Sequence, residues 1–256
     1  MSDFVKRVAG GPPRATTWEA AGLRWLADAE RVCGGARVVA VTGVSQDTLT
    51  LERLVSWSPT RDQLEDFGRR LAATHEAGAS AFGAGPDGWE GDGYLGPANE
   101  LLPLPLNQYD SWGEFYGQSR IRHTLSLARD RGFWGTTALF DPVIRRLCNG
   151  DFDDDLPPVR LHGDLWSGNV VWTADGGVLI DPAAHGGHRL TDLAMLLLFG
   201  GEDERRVVEA YRQVSELPDD WAELLGLHQL HPVMLHAVLF GGGYVARAER
   251  LARRYA

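Results

Sequence analysis

His162, Asp164 and Asn169 set the tightest constraint on this chain. They fall at the spacing H-x-D-x-x-x-x-N within LHGDLWSGNVVWTADGGVLIDPA, residues 161–183. With eight His, 21 Asp and four Asn in 256 residues, about 0.01 such matches are expected by chance. Val170 to Trp172 and Val178 to Ile180 read as the arms of a small β-hairpin around Asp175-Gly176-Gly177. Asp181 follows that hairpin directly. The order is loop, hairpin, carboxylate.

This order fits phosphoryl transfer from ATP. The reaction needs one aspartate to take or orient the proton of the attacking hydroxyl, and an amide oxygen with a second aspartate to hold a metal against the phosphates. Asp164 suits the first role, and Asn169 with Asp181 the second. An all-oxygen ligand set points to Mg²⁺ rather than Zn²⁺. His162 reads as a prop for the loop. Each residue alone has an ordinary explanation, as a turn residue or a cap; the three in this order do not.

Composition narrows the classes. The chain has a net charge of −10, which argues against nucleic acid or anionic membrane as a partner. Its longest clean apolar run, Leu193 to Phe199, cannot span a bilayer. The start, MSDFVKR, has no signal-peptide core. Cys33 and Cys148 make neither a disulfide framework nor a zinc site. A soluble, cytoplasmic, monomeric protein is the default expectation. Of the 25 basic residues, 24 are Arg and one is Lys, at position 6 in the apolar stretch Phe4-Val5-Lys6.

The remaining pattern predicts a small mixed region followed by a helical one. Asp3 to Arg7 reads as a strand and residues 9–13 (AGGPP) as a turn. A helix from Thr16 carries Thr16 and Glu19 at capping-box spacing. Ala36 to Thr42 and Thr48 to Val55 read as a hairpin of strands. Helices are predicted from Arg61, over Trp112 to Arg131, Leu190 to Phe199, Asp203 to Val214, and Trp221 to Phe240. Gly78 to Leu106 is a long aromatic loop, which suggests a functional segment. Asp151 to Pro158 reads as a solvated acidic linker. His228 and His231, one turn apart with His236 beyond, admit a metal reading as well as a core or surface one.

Several runs carry a resemblance. HGDLWSGN, LIDPAAHGGHR and DLAMLLLFGG resemble the fructosamine kinase (ketosamine 3-kinase) family. So does the tail from Leu227 to Pro232 with His236, Leu239, Phe240 and Gly241 to Tyr244. FVKR, EAAGLRWL, LERL, GYLGP and Trp112 to Tyr116 keep the family order upstream. The resemblance covers nearly the whole chain. It implies an α+β, protein-kinase-like two-lobed fold related to aminoglycoside and choline kinases. The small β-rich lobe would occupy residues 1–56, lacking the family's first hairpin and phosphate loop. A large, mostly helical lobe would occupy 57–256, with the catalytic loop at 161–183.

Residue by residue, the resemblance implies the following. Asp164 is the catalytic base, and Asn169 and Asp181 bind Mg²⁺. Lys6 contacts the ATP phosphates, Glu19 pairs with it, and Glu52, Arg53 and Leu54 form the adenine hinge. Asp192 braces the catalytic loop, while Trp166 and the segment from His185 to Arg189 lie beside the acceptor. The implied reaction is ATP-dependent phosphorylation of the 3-hydroxyl of a small-molecule or protein-bound ketosamine, leading to deglycation. Leu190 stands where the family has an acid. Three other readings stay open. They are a pseudokinase-like binding protein, a phosphotransferase for aminoglycoside- or choline-like alcohols, and a zinc hydrolase built on His162, Asp164 and His185.

Overall fold

The computed structural model describes residues 3–8 and 10–256. Ala9, at the head of the expected turn, lies outside them. The chain opens with strand β1 (Phe4–Arg7), helix α1 (Ala15–Cys33) and strands β2 (Arg37–Val38), β3 (Val41–Val44) and β4 (Thr48–Leu51). A three-stranded antiparallel sheet forms in the order β1-β4-β3, with Lys6 opposite Leu49. The expected hairpin of strands is therefore present. The first of its strands is split, because β2 leaves for another sheet.

Helix α1 buries Trp18, Leu23, Leu26 and Ala29 on one face and stops at Gly34. That residue takes the left-handed conformation (φ 73°) that glycine adopts without strain. Its beginning corrects the capping-box expectation. The helix starts at Ala15, and the Thr16 hydroxyl donates instead to the carbonyls of Ser45 and Gln46 at 2.7 and 3.2 Å. Thr16 is thus tied to the β3–β4 turn, and Glu19 is released from capping. A true capping box opens α2 (Arg61–Glu76), where Thr60 and Gln63 bond reciprocally.

The middle of the chain holds strands β5 (Gly93–Leu95) and β6 (Leu102–Leu104), which pair as a hairpin inside the long aromatic loop. Helices α3 (Trp112–Phe115) and α4 (His123–Asp130) are joined through a π-helical turn, Tyr116–Arg122, and α5 (Asp141–Cys148) follows. Strand β7 (Val159–Leu161) leads into the segment that begins at His162, and β8 (Val170–Thr173) and β9 (Gly176–Leu179) form the expected hairpin. Strand β10 (His185–Gly187) pairs with β7. Helices α6 (Arg189–Leu198), α7 (Glu202–Arg212), α8 (Trp221–His228), α9 (Leu230–Phe240) and α10 (Gly243–Arg254) complete the chain.

The single helix expected over 221–240 is broken at Gln229. Pro232 has no N–H, and its ring clashes with the carbonyl four residues back, which is that of His228. The Tyr116 hydroxyl fills the break. It donates to the Leu227 and His228 carbonyls at 2.9 and 3.0 Å and accepts from the His231 amide at 3.0 Å. The acidic linker is likewise not simply solvated. Asp153 accepts from the Gly113 amide, and Asp154 pairs with the buried His188 at 3.0 Å.

One apolar core joins the strand-rich and helical regions, running from Leu23, Leu49 and Leu51 through Phe67 and Leu71 to Val178, Leu193 and Val207. Strand β2 pairs in parallel with β9, Val38 opposite Leu179, so the first region reaches the β8–β9 hairpin directly. No helix among the described residues is long and apolar enough to cross a membrane.

Candidate active site

Strand β7 delivers His162-Gly163-Asp164 into a tight turn. Gly163 has φ 82°, and a Cβ there would lie 2.1 Å from the Ala183 carbonyl oxygen, so no other residue fits. The buried Asp192 carboxylate on α6 accepts from the His162 and Gly163 amides at 2.7 and 3.0 Å. His75 approaches the same carboxylate at 3.2 Å. The His162 ring spans the site. Its Nε2 lies 2.8 Å from the Ile180 carbonyl, which can only accept, so Nε2 carries the proton. Its Nδ1 accepts from the Asp164 amide at 3.3 Å. Burial keeps the imidazole below its ordinary pKa and hence neutral. His162 thereby links the turn carrying Asp164 to the residue just before Asp181. With both ring nitrogens engaged, it has no lone pair for zinc.

The Asn169 amide nitrogen donates to the Asp164 carbonyl at 2.8 Å and to its carboxylate at 3.1 Å. Burial is the main reason the Asp164 carboxyl is pushed up to about 7, with Asn169 opposing and Asp192 and Asp181 adding to the rise. Because the Asn169 nitrogen is committed to Asp164, its Oδ1 is the end left for another partner. Asp181 sits at φ 52°, a left-handed conformation uncommon for a residue with a side chain. Its side chain is 43% exposed, with one oxygen on Lys6. An amide oxygen and an open carboxylate are hard donors. They fit a cation such as Mg²⁺, which keeps several waters of its own.

Lys6 bridges two acids, at 2.8 Å from Glu19 and 3.0 Å from Asp181. Burial alone would lower its pKa; the two carboxylates outweigh burial and raise it. Burial pushes the Glu19 carboxyl up to about 7, partly offset by Lys6 and reinforced by Asp181. The two residues reach one another because α1 packs against β3 and β4 of the sheet that carries β1, and because Thr16 rather than Glu19 anchors the start of α1.

These groups line a cleft of about 610 Å³. Lys6, Glu19, Asp164, Asn169 and Asp181 are all present, as is Trp166, 39% exposed. Other expected site residues lie elsewhere. Glu52, Arg53 and Leu54 are not among the lining residues. The Glu52 amide donates to the Ala40 carbonyl, and its carboxylate pairs with Arg37 at 3.1 Å. His185 and Arg189 also require correction as acceptor neighbours. His185 is buried with Nδ1 on the Ala183 carbonyl, and Arg189 is buried against Glu76 at 2.8 Å and Ser215 at 2.6 Å. Through one guanidinium nitrogen Arg189 ties the start of α6 to the end of α2 and to Ser215. Nor do His228, His231 and His236 form a metal site. His228 bonds Thr191 and stacks on Trp112, and no cluster of three or more His, Cys, Asp or Glu suits a metal among the described residues.

The sequence reading missed the opposite wall of the cleft. Met195, Phe199, His236, Leu239, Phe240 and Tyr244 line it, coming from α6, α9 and α10. Tyr94 to Ala98 and Leu101, in and beside the β5–β6 hairpin, supply more of the lining. Trp18 fixes that hairpin by donating to the Tyr94 carbonyl at 2.9 Å.

The sequence profile of the family described as fructosamine kinase matches residues 4–256. A Synechocystis protein named as a probable ketoamine kinase is 32% identical over 238 residues, covering 92% of this chain and 77% of its own. A Thermobifida fusca crystal structure assigned as a fructosamine-3-kinase superposes with a TM-score of 0.86 at 43% identity, covering 99% of this chain and 85% of that one. The choline kinase of Streptococcus pneumoniae superposes at a TM-score of 0.60 and 15% identity over 98% of this chain and 85% of that one, which establishes the shared protein-kinase-like fold. The chain belongs to the fructosamine kinase family and is a phosphotransferase whose acceptor group is an alcohol.

Proposed function

We propose that the chain transfers the γ-phosphoryl group of ATP, with Mg²⁺, to the 3-hydroxyl of a ketosamine. The observation that carries this reading is Asp164, a partly open carboxylate fixed by Asn169 in the same cleft as Lys6 and Asp181. Its pKa near 7 suits a base working at neutral pH. Asp164 takes the hydroxyl proton as the sugar oxygen bonds to phosphorus and the bond to the ADP oxygen breaks. Lys6 neutralises phosphate charge and is itself positioned by Glu19. Asn169 Oδ1 and the Asp181 carboxylate would hold the metal, and Mg²⁺ there would offset the negative charge that develops on the phosphate during transfer.

Asp192 and His162 keep Asp164 and Asp181 in register, and Trp166 borders the acceptor. The hinge role of residues 52–54 follows from the family resemblance; the Glu52 amide is already bonded to the Ala40 carbonyl. Residues 1–56 and 57–256 act as the two lobes. The phosphorylated adduct then eliminates inorganic phosphate, and water hydrolyses the resulting imine to release the free amine and a deoxy dicarbonyl sugar, so the outcome is deglycation.

The test is ATP consumption with Mg²⁺ and either a fructosamine or a ribulosamine, with phosphorus–proton coupling used to locate the phosphate. Turnover should require acceptor, Mg²⁺ and Asp164, and should place phosphorus on O3. Turnover independent of the acceptor, or unchanged in Asp164→Ala, would overturn the proposal.

A further inference from the structure

The cleft has two chemically distinct ends. The four charged side chains that line it, Lys6, Glu19, Asp164 and Asp181, belong to the phosphate end. The other wall has no charged side chain. It centres on His236, whose ring lies 5.1 Å from Phe199, 5.6 Å from Phe240 and 5.1 Å from Tyr244. Phe199 is 41% exposed and Phe240 is 62% exposed. Large apolar rings left in water at the mouth of a cleft mark a surface that gains by being covered.

His236 has a fixed hydrogen-bonding sense. Its Nδ1 lies 2.7 Å from the Pro232 carbonyl, which can only accept, so Nδ1 holds the proton. Burial keeps the ring below its ordinary pKa. Its Nε2 is then a lone pair, able to accept an N–H or O–H and unable to donate. Arg247, the cation that acts on this ring, is not among the lining residues.

We infer that this wall is the subsite for the amine substituent of the acceptor, and that it selects adducts bearing an uncharged aliphatic or aromatic group. The inference rests on the ketosamine reading above. A protonated secondary amine meets π faces and one acceptor there, which favours it. A substituent carrying a carboxylate meets the same rings and a lone pair, and would be stripped of water without a counter-charge.

The fructose adducts of benzylamine and of glycine test this, using both turnover and calorimetric titration. The wild type should favour the benzylamine adduct in kcat/KM by roughly tenfold or more. In Phe240→Ala, the ratio of kcat/KM between the two adducts should fall about tenfold, through KM for the benzylamine adduct. Phe240 is mostly exposed, so the variant keeps the fold; Phe199→Ala is a second variant expected to act in the same direction. Equal preference in the wild type, or equal loss on both adducts, would overturn the inference. Absence of turnover with either adduct would count against the ketosamine reading alone. In that case, tighter calorimetric binding of the benzylamine adduct, weakened by Phe240→Ala, would uphold the subsite. Equal or absent binding of the two adducts would refute it.

Discussion

At the phosphate end of the cleft every charged side chain has a named partner, although Glu19 Oε1 is buried without one. Lys6 bridges Glu19 and Asp181, Asn169 holds Asp164, and Asp192 and His162 hold the turn between them. The acceptor end is built differently, from rings and aliphatic chains around one neutral imidazole. Charged groups in a cleft must be paired or oriented to be tolerated at all, so the first end is a network. Apolar contacts have no direction, so the second end can vary in shape and size while the chemistry stays constant. Substitutions in the network should therefore act on rate or folding, and those in the wall on choice of acceptor.

The sharpest way to break that contrast is Asp164→Ala. Turnover should fall by about 10²–10⁴-fold, the usual loss of a general base, with the melting temperature preserved. A change in KM alone would put Asp164 in the wrong category. Asp192→Ala should do the opposite. It orphans the buried His162 and Gly163 amides and removes the partner of His75, for about 3 kcal/mol of lost stability in denaturant titration. An unchanged midpoint would mean that the turn holds itself.

The pH dependence separates the two carboxyls raised to about 7. If Asp164 is the base, kcat/KM should fall roughly tenfold per unit as pH drops below about 7. Glu19 titrates in the same window, so Glu19→Gln should keep the acid limb if Asp164 governs it. Stability should carry the opposite sign. The folded-state pKa of Asp164 lies above its ordinary value of 3.8, so its ionisation weakens the fold as pH rises from about 4 through 7. The smallest expected effect concerns the start of α1. Thr16→Val should cost about 1 kcal/mol by removing the tie to the β3–β4 turn. Glu19→Ala should leave that helix start intact, which a capping role for Glu19 would not allow.

The phosphate end was legible because its residues sit close in sequence and their types are rare together. His162, Asp164, Asn169 and Asp181 fall within twenty residues, and Lys6 is the only lysine in the chain. The opposite wall was not legible as a site. His236 and Phe240 lie on α9, Tyr244 on α10 and Phe199 just past the end of α6, and a Phe or Leu there reads equally well as core. The same ambiguity misplaced Arg189, because a basic residue beside a glycine-rich motif does not announce that Glu76, 113 positions away, has already paired with it. Thr16 and Glu19 had capping spacing, yet the nearby carbonyls of Ser45 and Gln46 are visible only after the sheet has formed. The break at Gln229 could have been read from Pro232; the hydroxyl of Tyr116 that fills it could not.

The four strands of the first region are divided between two sheets. β1, which carries the lysine, pairs with β4 and β4 with β3, while β2 is built into the sheet of the β8–β9 hairpin. The chain crosses between them at Val39-Ala40, where the Val39 amide bonds the Leu179 carbonyl and the Ala40 amide bonds the Glu52 carboxylate. Glu52 also returns its own amide to Ala40 and pairs with Arg37. These bonds tie the lysine sheet to the β8–β9 hairpin at a single crossing, so a rocking of that sheet would pivot there and would show as a change in the Lys6–Asp181 separation of 3.0 Å.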